Sequence, residues 1–225
     1  VAHNRLHDST SSALRVAGND HLVEFNDVYR VLTESDDQGG VDMWGDPTFR
    51  GNVFRWNYWH HIGNGMGVGQ AGIRLDDAIS GALIYGNLFY RCADGRFGGV
   101  QIHGGKDNIV DNNLFVECQY AISFSSWGQK RWLETLARPD FVARIHKAVD
   151  ISRPPYSTRY PELAQLQQDA DVNRIWRNIA VGCSQFLARD RGVHQLMDNW
   201  TTAADPSIDP QQPGLGLRPD AKPLT

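Results

Sequence analysis

Ile84-Tyr85-Gly86-Asn87-Leu88-Phe89 reads as an apolar residue, two variable positions, Asn, one variable position and a second apolar residue. The phrase returns as Val1–Asn4–Leu6, Val23–Asn26–Val28, Phe54–Asn57–Trp59, Val110–Asn113–Phe115 and Ile175–Asn178–Ala180, with a looser copy at Leu196–Asn199–Thr201. By subtraction, the first six Asn residues are spaced 22, 31, 30, 26 and 65 residues apart. A short period with irregular insertions marks a solenoid, in which each repeat buries its apolar face only by stacking on its neighbours.

The repeats are strand-like. Around each Asn phrase lies a second alternating stretch: Ala13–Gly18, Gly40–Trp44, Gly72–Asp77, Gly99–Gly104 and Ala121–Ser125. Gly, Asn and Asp flank these stretches, as strand punctuation requires. No helix recurs in every unit, which excludes leucine-rich, ankyrin and helical repeats. The expected fold is therefore all-β: a single-stranded parallel β-helix with rungs of two or three short strands, about 4.8 Å apart. Asn suits the corners, because it tolerates a left-handed backbone and its amide bonds to the main chain. Stacked Asn side chains can also bond one another along the axis. Asn26, Asn57, Asn87 and Asn113 are read as such a ladder, not as catalytic groups.

On these motifs the chain resembles the right-handed parallel β-helix proteins of the pectin-lyase-like superfamily, over residues 1–127 and again 172–201. That superfamily holds polysaccharide lyases, glycoside hydrolases, epimerases and non-catalytic adhesins, so the fold alone does not choose a function. The resemblance implies a carbohydrate-active protein, secreted or periplasmic and bacterial, whose partner is a polysaccharide or oligosaccharide.

The 225 residues are expected to form one β-helix domain, the C-terminal part of a longer chain, because Val1–Leu6 already lies within a repeat and an uncovered first rung invites edge pairing. Net charge is -4 and the pI near 6.0, which gives no footprint for nucleic acid. No apolar run nears the ~20 residues that span a membrane. A monomer is expected. Cys92, Cys118 and Cys183 each fall five residues after a ladder Asn, in a column held by Val31 and Ile62 in earlier rungs, and read as buried free thiols. They have no metal-type spacing.

Residues 128–171 break the repeat. Leu133, Leu136, Phe141, Ile145 and Val149 recur at helical spacing, with Pro139 opening a second helix, so a lateral helical insertion is expected. Residues 202–225, rich in Pro, Gly and Asp, read as a strap closing the coil.

Aligning the second stretches brings out two outward columns, Arg15, Asp42, Arg74, Gln101, Ser123 and Ala17, Trp44, Asp76, His103, Ser125, with Asp77 and Gly104 just beyond. Side chains two apart share a face. The columns gather Asp42, Asp76, Asp77 and His103 as catalytic candidates, and Arg74, Trp44 and Gln101 as substrate-binding ones. Each alone has an ordinary structural role open to it; convergence on one face is the signal. Glycoside hydrolysis needs one protonated and one ionised carboxyl. Arg74 beside Asp42 would keep Asp42 ionised, as base or nucleophile, and Asp77 beside Asp76 would push Asp76 toward the acid role. His103 would orient Asp76, and Trp44 would stack on a sugar ring. In the resemblance, Asp76–Asp77 and His103–Gly104 match the acidic pair and the His-Gly of polygalacturonase-like hydrolases. Gly40–Val41–Asp42 replaces their Asn-x-Asp, and no Arg-x-Lys follows.

A glycoside hydrolase without a cofactor is the first reading. The second is a uronate lyase, with Arg74 or His103 as base and Ca²⁺ held by Asp42, Asp76 and Asp77. Glu34–Asp37, another acidic run, reads as a solvated turn. The third reading is a non-catalytic carbohydrate-binding module or adhesin.

Overall fold

A computed structural model describes residues 1–203, so most of the expected strap over 202–225 lies outside the described residues. The chain winds as a coil whose rungs carry three strands each. One sheet runs through seven strands, from Arg5–His7 to Trp200–Thr202. A second runs through six: Leu14–Arg15, Gln38–Trp44, Gly69–Asp76, Val100–His103, Tyr120–Ser125 and Gln185–Ala188. A third, also of six, runs from Leu22–Glu24 to Gln195–Met197. Neighbours along all three sheets pair in parallel. Among the described residues, the one antiparallel pairing in the second sheet is Asp94–Gly95 on Gly69–Gln70.

The Asn ladder is continuous. The Nδ2 of Asn26, Asn57, Asn87, Asn113 and Asn178 donates to the Oδ1 of the next Asn at 2.9–3.0 Å, ending on Asn199. Each receiving Oδ1 also takes a backbone N–H from the rung before it. The residue preceding each ladder Asn is left-handed in every rung: His3, Phe25, Trp56, Gly86, Asn112, Arg177 and Asp198. The corner thus turns the main chain away from its neighbour, and the Asn amide bonds the groups left over. A second, broken ladder escaped the sequence reading. Asn52, Asn108 and Asn173 stand five residues before Asn57, Asn113 and Asn178, and Asn108 donates to Asn173 at 3.0 Å.

The interior is filled by aligned apolar columns. Val28, Trp59, Phe89, Phe115 and Ala180 form one; the Phe89 and Phe115 rings stack 4.7 Å apart. Cys92 pairs with Ile62 across a rung boundary, and all three cysteines are free.

Between Tyr120–Ser125 and Arg174–Trp176 the chain leaves the coil. It forms α1 (Gly128–Leu136) and α2 (Pro139–Ala143), a π-helical turn at Arg144–Ala148, α3 (Tyr156–Arg159) and a 3-10 turn at Pro161–Gln165. Trp132, Leu136, Phe141 and Ile145 are buried together with Leu163 and Leu166. Leu133, expected on that buried face, is exposed; Trp132 takes its place, its Nε1 donating to Leu166 O at 2.7 Å. The excursion is tied to the coil by buried cations. Lys106 Nζ donates to Gln165 O at 2.9 Å, and the fully buried Arg50 reaches Asp107 at 3.0 Å and Glu162 at 3.3 Å. Asp171 accepts the N–H groups of Trp127 and Gly128, which anchors the start of α1. Among the described residues, no helix is long and apolar enough to cross a membrane.

Candidate functional site

The second sheet sets the site. Its register pairs Arg15 with Asp42, Asp42 with Arg74, Arg74 with Gln101 and Gln101 with Ser123. One step along, Trp44 pairs with Asp76 and His103 with Ser125. Polar residues at alternate positions of four rungs therefore share one outer face, while Val41, Ile73, Val100 and Ile122 point into the core.

This face is not open. Asp42 is 4 % exposed, and Arg74, Asp76, Gln101 and Ser123 are also buried. Part of the cover comes from a segment that the sequence reading assigned to solvent. Asp36 accepts the N–H groups of Val68 and Gly69 at 2.7 and 2.8 Å, which folds the acidic run against the coil. Asp37 then meets Arg74, its backbone carbonyl accepting from Nη1 and its Oδ1 from Nη2 at 2.9 Å. Phe97 lies beneath the Arg74 guanidinium, 5.4 Å from ring centroid to Cζ.

Arg74 is the hub. Its Nη2 lies 3.0 Å from Asp76 Oδ1, and its Nη1 lies 3.8 Å from Asp42 Oδ1. Arg15 holds the other Asp42 oxygen at 3.1 Å. Despite both cations, burial pushes the Asp42 carboxyl up to about 6, and its Oδ1 has no hydrogen-bond partner. The two guanidiniums therefore do not hold the Asp42 carboxyl below its ordinary range: desolvation outweighs them and raises it, although a group at about 6 is still mostly ionised at neutral pH. Asp42 also does not border any cleft described below, so the expected hydrolytic pair of Asp42 and Asp76 has no substrate-facing Asp42.

His103 does face outward. Its Nδ1 lies 2.8 Å from Asp76 Oδ1 and 3.2 Å from Asp77 Oδ1. With Nδ1 turned to these two carboxylates, Nε2 is the ring nitrogen that makes neither contact. Trp44 is 57 % exposed, and its Nε1 donates to Asp77 Oδ2 at 3.1 Å. Gln101 is buried on the floor, where Ser123 Oγ donates to its Oε1 and its Nε2 donates to Ser125 Oγ at 3.0 Å. Gly104, next to His103, has φ of +63°, and a Cβ there would sit 2.3 Å from the Trp127 ring. Glycine thus lets Trp127 pack edge-on to His103, 5.6 Å between centroids, and brings the insertion to the site.

A cleft of about 370 Å³ opens over this floor. Arg74, Arg96, Arg131, Arg189 and Arg191 line it together with His103, against one carboxylate, Asp37. Apart from Arg74, none of these arginines has a carboxylate partner among the described residues. Arg189 bonds the carbonyls of Phe124 and Arg96 and the side chain of Gln101. Asp37 and these four arginines were missed because they come from loops and from α1, outside the repeat columns. The acidic run just ahead of the Gln38 strand was the one available signal.

Among the described residues, Asp76, Asp77 and His103 form the one group spaced to hold a metal ion. The donor set does not suit Ca²⁺. Asp76 Oδ1 already takes both His103 and Arg74, a guanidinium 3.0 Å away would face the ion, and Asp42 is committed to Arg15 and Arg74.

The family described as the right-handed beta helix region matches residues 1–134. The chain belongs to that family. Its three stacked parallel sheets are those of a right-handed β-helix protein, and the match spans every rung that contributes Asp42, Arg74, Asp76 and His103. Comparisons with curated proteins and with solved structures each give no significant match. A right-handed β-helix carries catalytic and non-catalytic functions alike, so the chemistry must be argued from the site.

Proposed function

We propose that this β-helix protein is a polysaccharide lyase that cleaves an acidic, uronate-bearing polymer by β-elimination, with His103 as the base. The observation that carries the reading is the Asp76–His103 pair, 2.8 Å apart, at the edge of an arginine-lined cleft. Asp76 fixes the ring so that Nε2 can take the proton at C5 of a uronate. The electron pair left at C5 forms the C4–C5 double bond as the C4–oxygen bond breaks. The leaving oxygen is protonated by the imidazolium or by water. Removing that proton needs the neighbouring carboxylate neutralised, which guanidiniums without an anionic partner can do in a half-enclosed site. No step requires a metal. A polymeric substrate goes with a secreted or periplasmic location.

Glycoside hydrolysis is the second reading, favoured by one observation. Two carboxyls reach the open face, Asp37 on the cleft wall, its carboxyl raised by desolvation against the pull of Arg74, and the partly exposed Asp77 beside His103.

Incubation with a panel of uronate polymers and neutral polysaccharides separates the readings. Elimination gives an unsaturated product that absorbs in the ultraviolet; hydrolysis gives reducing ends without that absorbance. Reducing ends alone would replace the lyase reading with the hydrolase one. Binding without any product would leave a carbohydrate-binding module.

A further inference from the structure

Arg131 of α1 borders the arginine cleft and also borders a second hollow of about 160 Å³ that Trp127 lines. Trp44 and Asp77 from the coil form one wall of this slot, and Arg138, Phe141 and Arg144 from the insertion form the other. The slot and the cleft therefore meet at the Asp77–His103 contact of 3.2 Å, the point where the proposed chemistry occurs.

The slot has the two features that an acidic sugar needs. Trp44 offers a large exposed ring, anchored at its nitrogen by Asp77. Such a ring, apolar in body and polar at one end, suits the face of a pyranose. The opposite wall carries excess cation. Arg138 and Arg144 share one carboxylate, Asp140, at 3.1 and 3.9 Å, and Arg131 rests over Trp127 at 4.3 Å with no carboxylate partner among the described residues. Arg144 also donates to Gly45 O, which fixes α2 and the following turn to the rung that carries Trp44.

We infer that this slot is a second saccharide subsite, built by the insertion, that takes an acidic sugar unit on the far side of the scissile bond from the arginine cleft. This rests on the function proposed above. A chain bound in both places lies across His103, so cleavage falls on internal linkages.

The test reads binding in the His103→Gln background, where turnover does not interfere. Titration calorimetry with a size series of galacturonate and of alginate oligosaccharides, dimer to hexamer, gives affinity against length. Affinity is expected to rise with length until both hollows are filled. Trp44→Ala and Arg138→Gln should each weaken the longest oligomers by about tenfold, the scale of one hydrogen bond to a charged group, and leave the dimers unchanged. Trp44→Phe, which keeps a ring, should retain most of that affinity and guards against a folding defect. Equal effects on dimer and hexamer, or none on either, would overturn the second subsite while leaving the lyase reading in place. No binding of any acidic oligomer would overturn the lyase reading itself.

Discussion

Asp76 holds His103 through Oδ1 at 2.8 Å, and Arg74 holds the same oxygen from the other side at 3.0 Å. One carboxylate thus links the guanidinium hub of the buried face to the imidazole that meets the cleft. The arrangement makes Asp76 a positioning residue, because it touches the ring of His103 and lies below the cleft surface.

Replacing His103 with Gln should lower kcat by about 100- to 10,000-fold, the usual contribution of a general base. Affinity for acidic oligosaccharides should stay within a few fold. Asp76→Asn should also lower kcat, and by less, since the ring stays in place with its tautomer no longer fixed. Ultraviolet product formation measures both. Wild-type rates in the His103 variant would remove it from the mechanism.

The arginines at the cleft mouth should act on binding. Arg191→Gln and Arg96→Gln are expected to raise KM several-fold with little change in kcat, the pattern of interactions made equally in ground and transition states. Added salt should weaken substrate binding in the wild type, and less in the double variant, because exposed charges are screened. Salt-independent KM values would show that the cleft does not select for charge.

Asp42 gives a pH signature. In the fold its carboxyl keeps a proton up to about pH 6, whereas its ordinary value is 3.8. Between those values the folded chain binds more protons than the unfolded one, so Asp42 makes stability fall as pH rises from about 4 to about 6. Asp42→Asn removes that dependence and leaves Arg74 with Asp37 and Asp76. The stability at pH 7.5 relative to pH 4.5, read from thermal melts, should be higher in the variant than in the wild type. An unchanged difference would mean that Asp42 is ionised throughout, held by its two arginines.

Asn113 tests the spine. Its Oδ1 accepts from both the main chain and the side chain of Asn87, and its amide donates to Ile84 O, Asp111 O and Asn178. Asn113→Ala leaves several buried polar groups without partners and should cost roughly 3–5 kcal/mol, at 1–3 kcal/mol for each unsatisfied group. Chemical denaturation measures it; a loss under 1 kcal/mol would mean that water or backbone shifts make good the missing bonds.

The coil was legible because its signals are periodic. The Asn phrase fixes phase in every rung, and once phase is known the pairing of Asp42 with Arg74, or of His103 with Ser125, follows by counting. What escaped lacks a period. Asp37 acts on Arg74 from 37 positions away, through a loop folded by Asp36. Arg96, Arg131, Arg189 and Arg191 converge on one cleft from two separate connections and the insertion. The direction of the Asp42 shift was misjudged for another reason. Neighbouring residue types suggest ion pairs, but the depth of cover that decides between pairing and desolvation belongs to the folded surface. Trp132 in place of Leu133 on the buried face of α1 is a smaller case: two apolar neighbours compete for one face, and packing against Leu166 decides.

Asn113 and Asn178 join at 3.0 Å although 65 positions separate them, as closely as ladder residues on rungs without an excursion. The spine does not register what hangs between them. The length of that appendage is therefore free to vary on an unaltered axle, provided that any replacement still gives the buried Arg50 and Lys106 their partners.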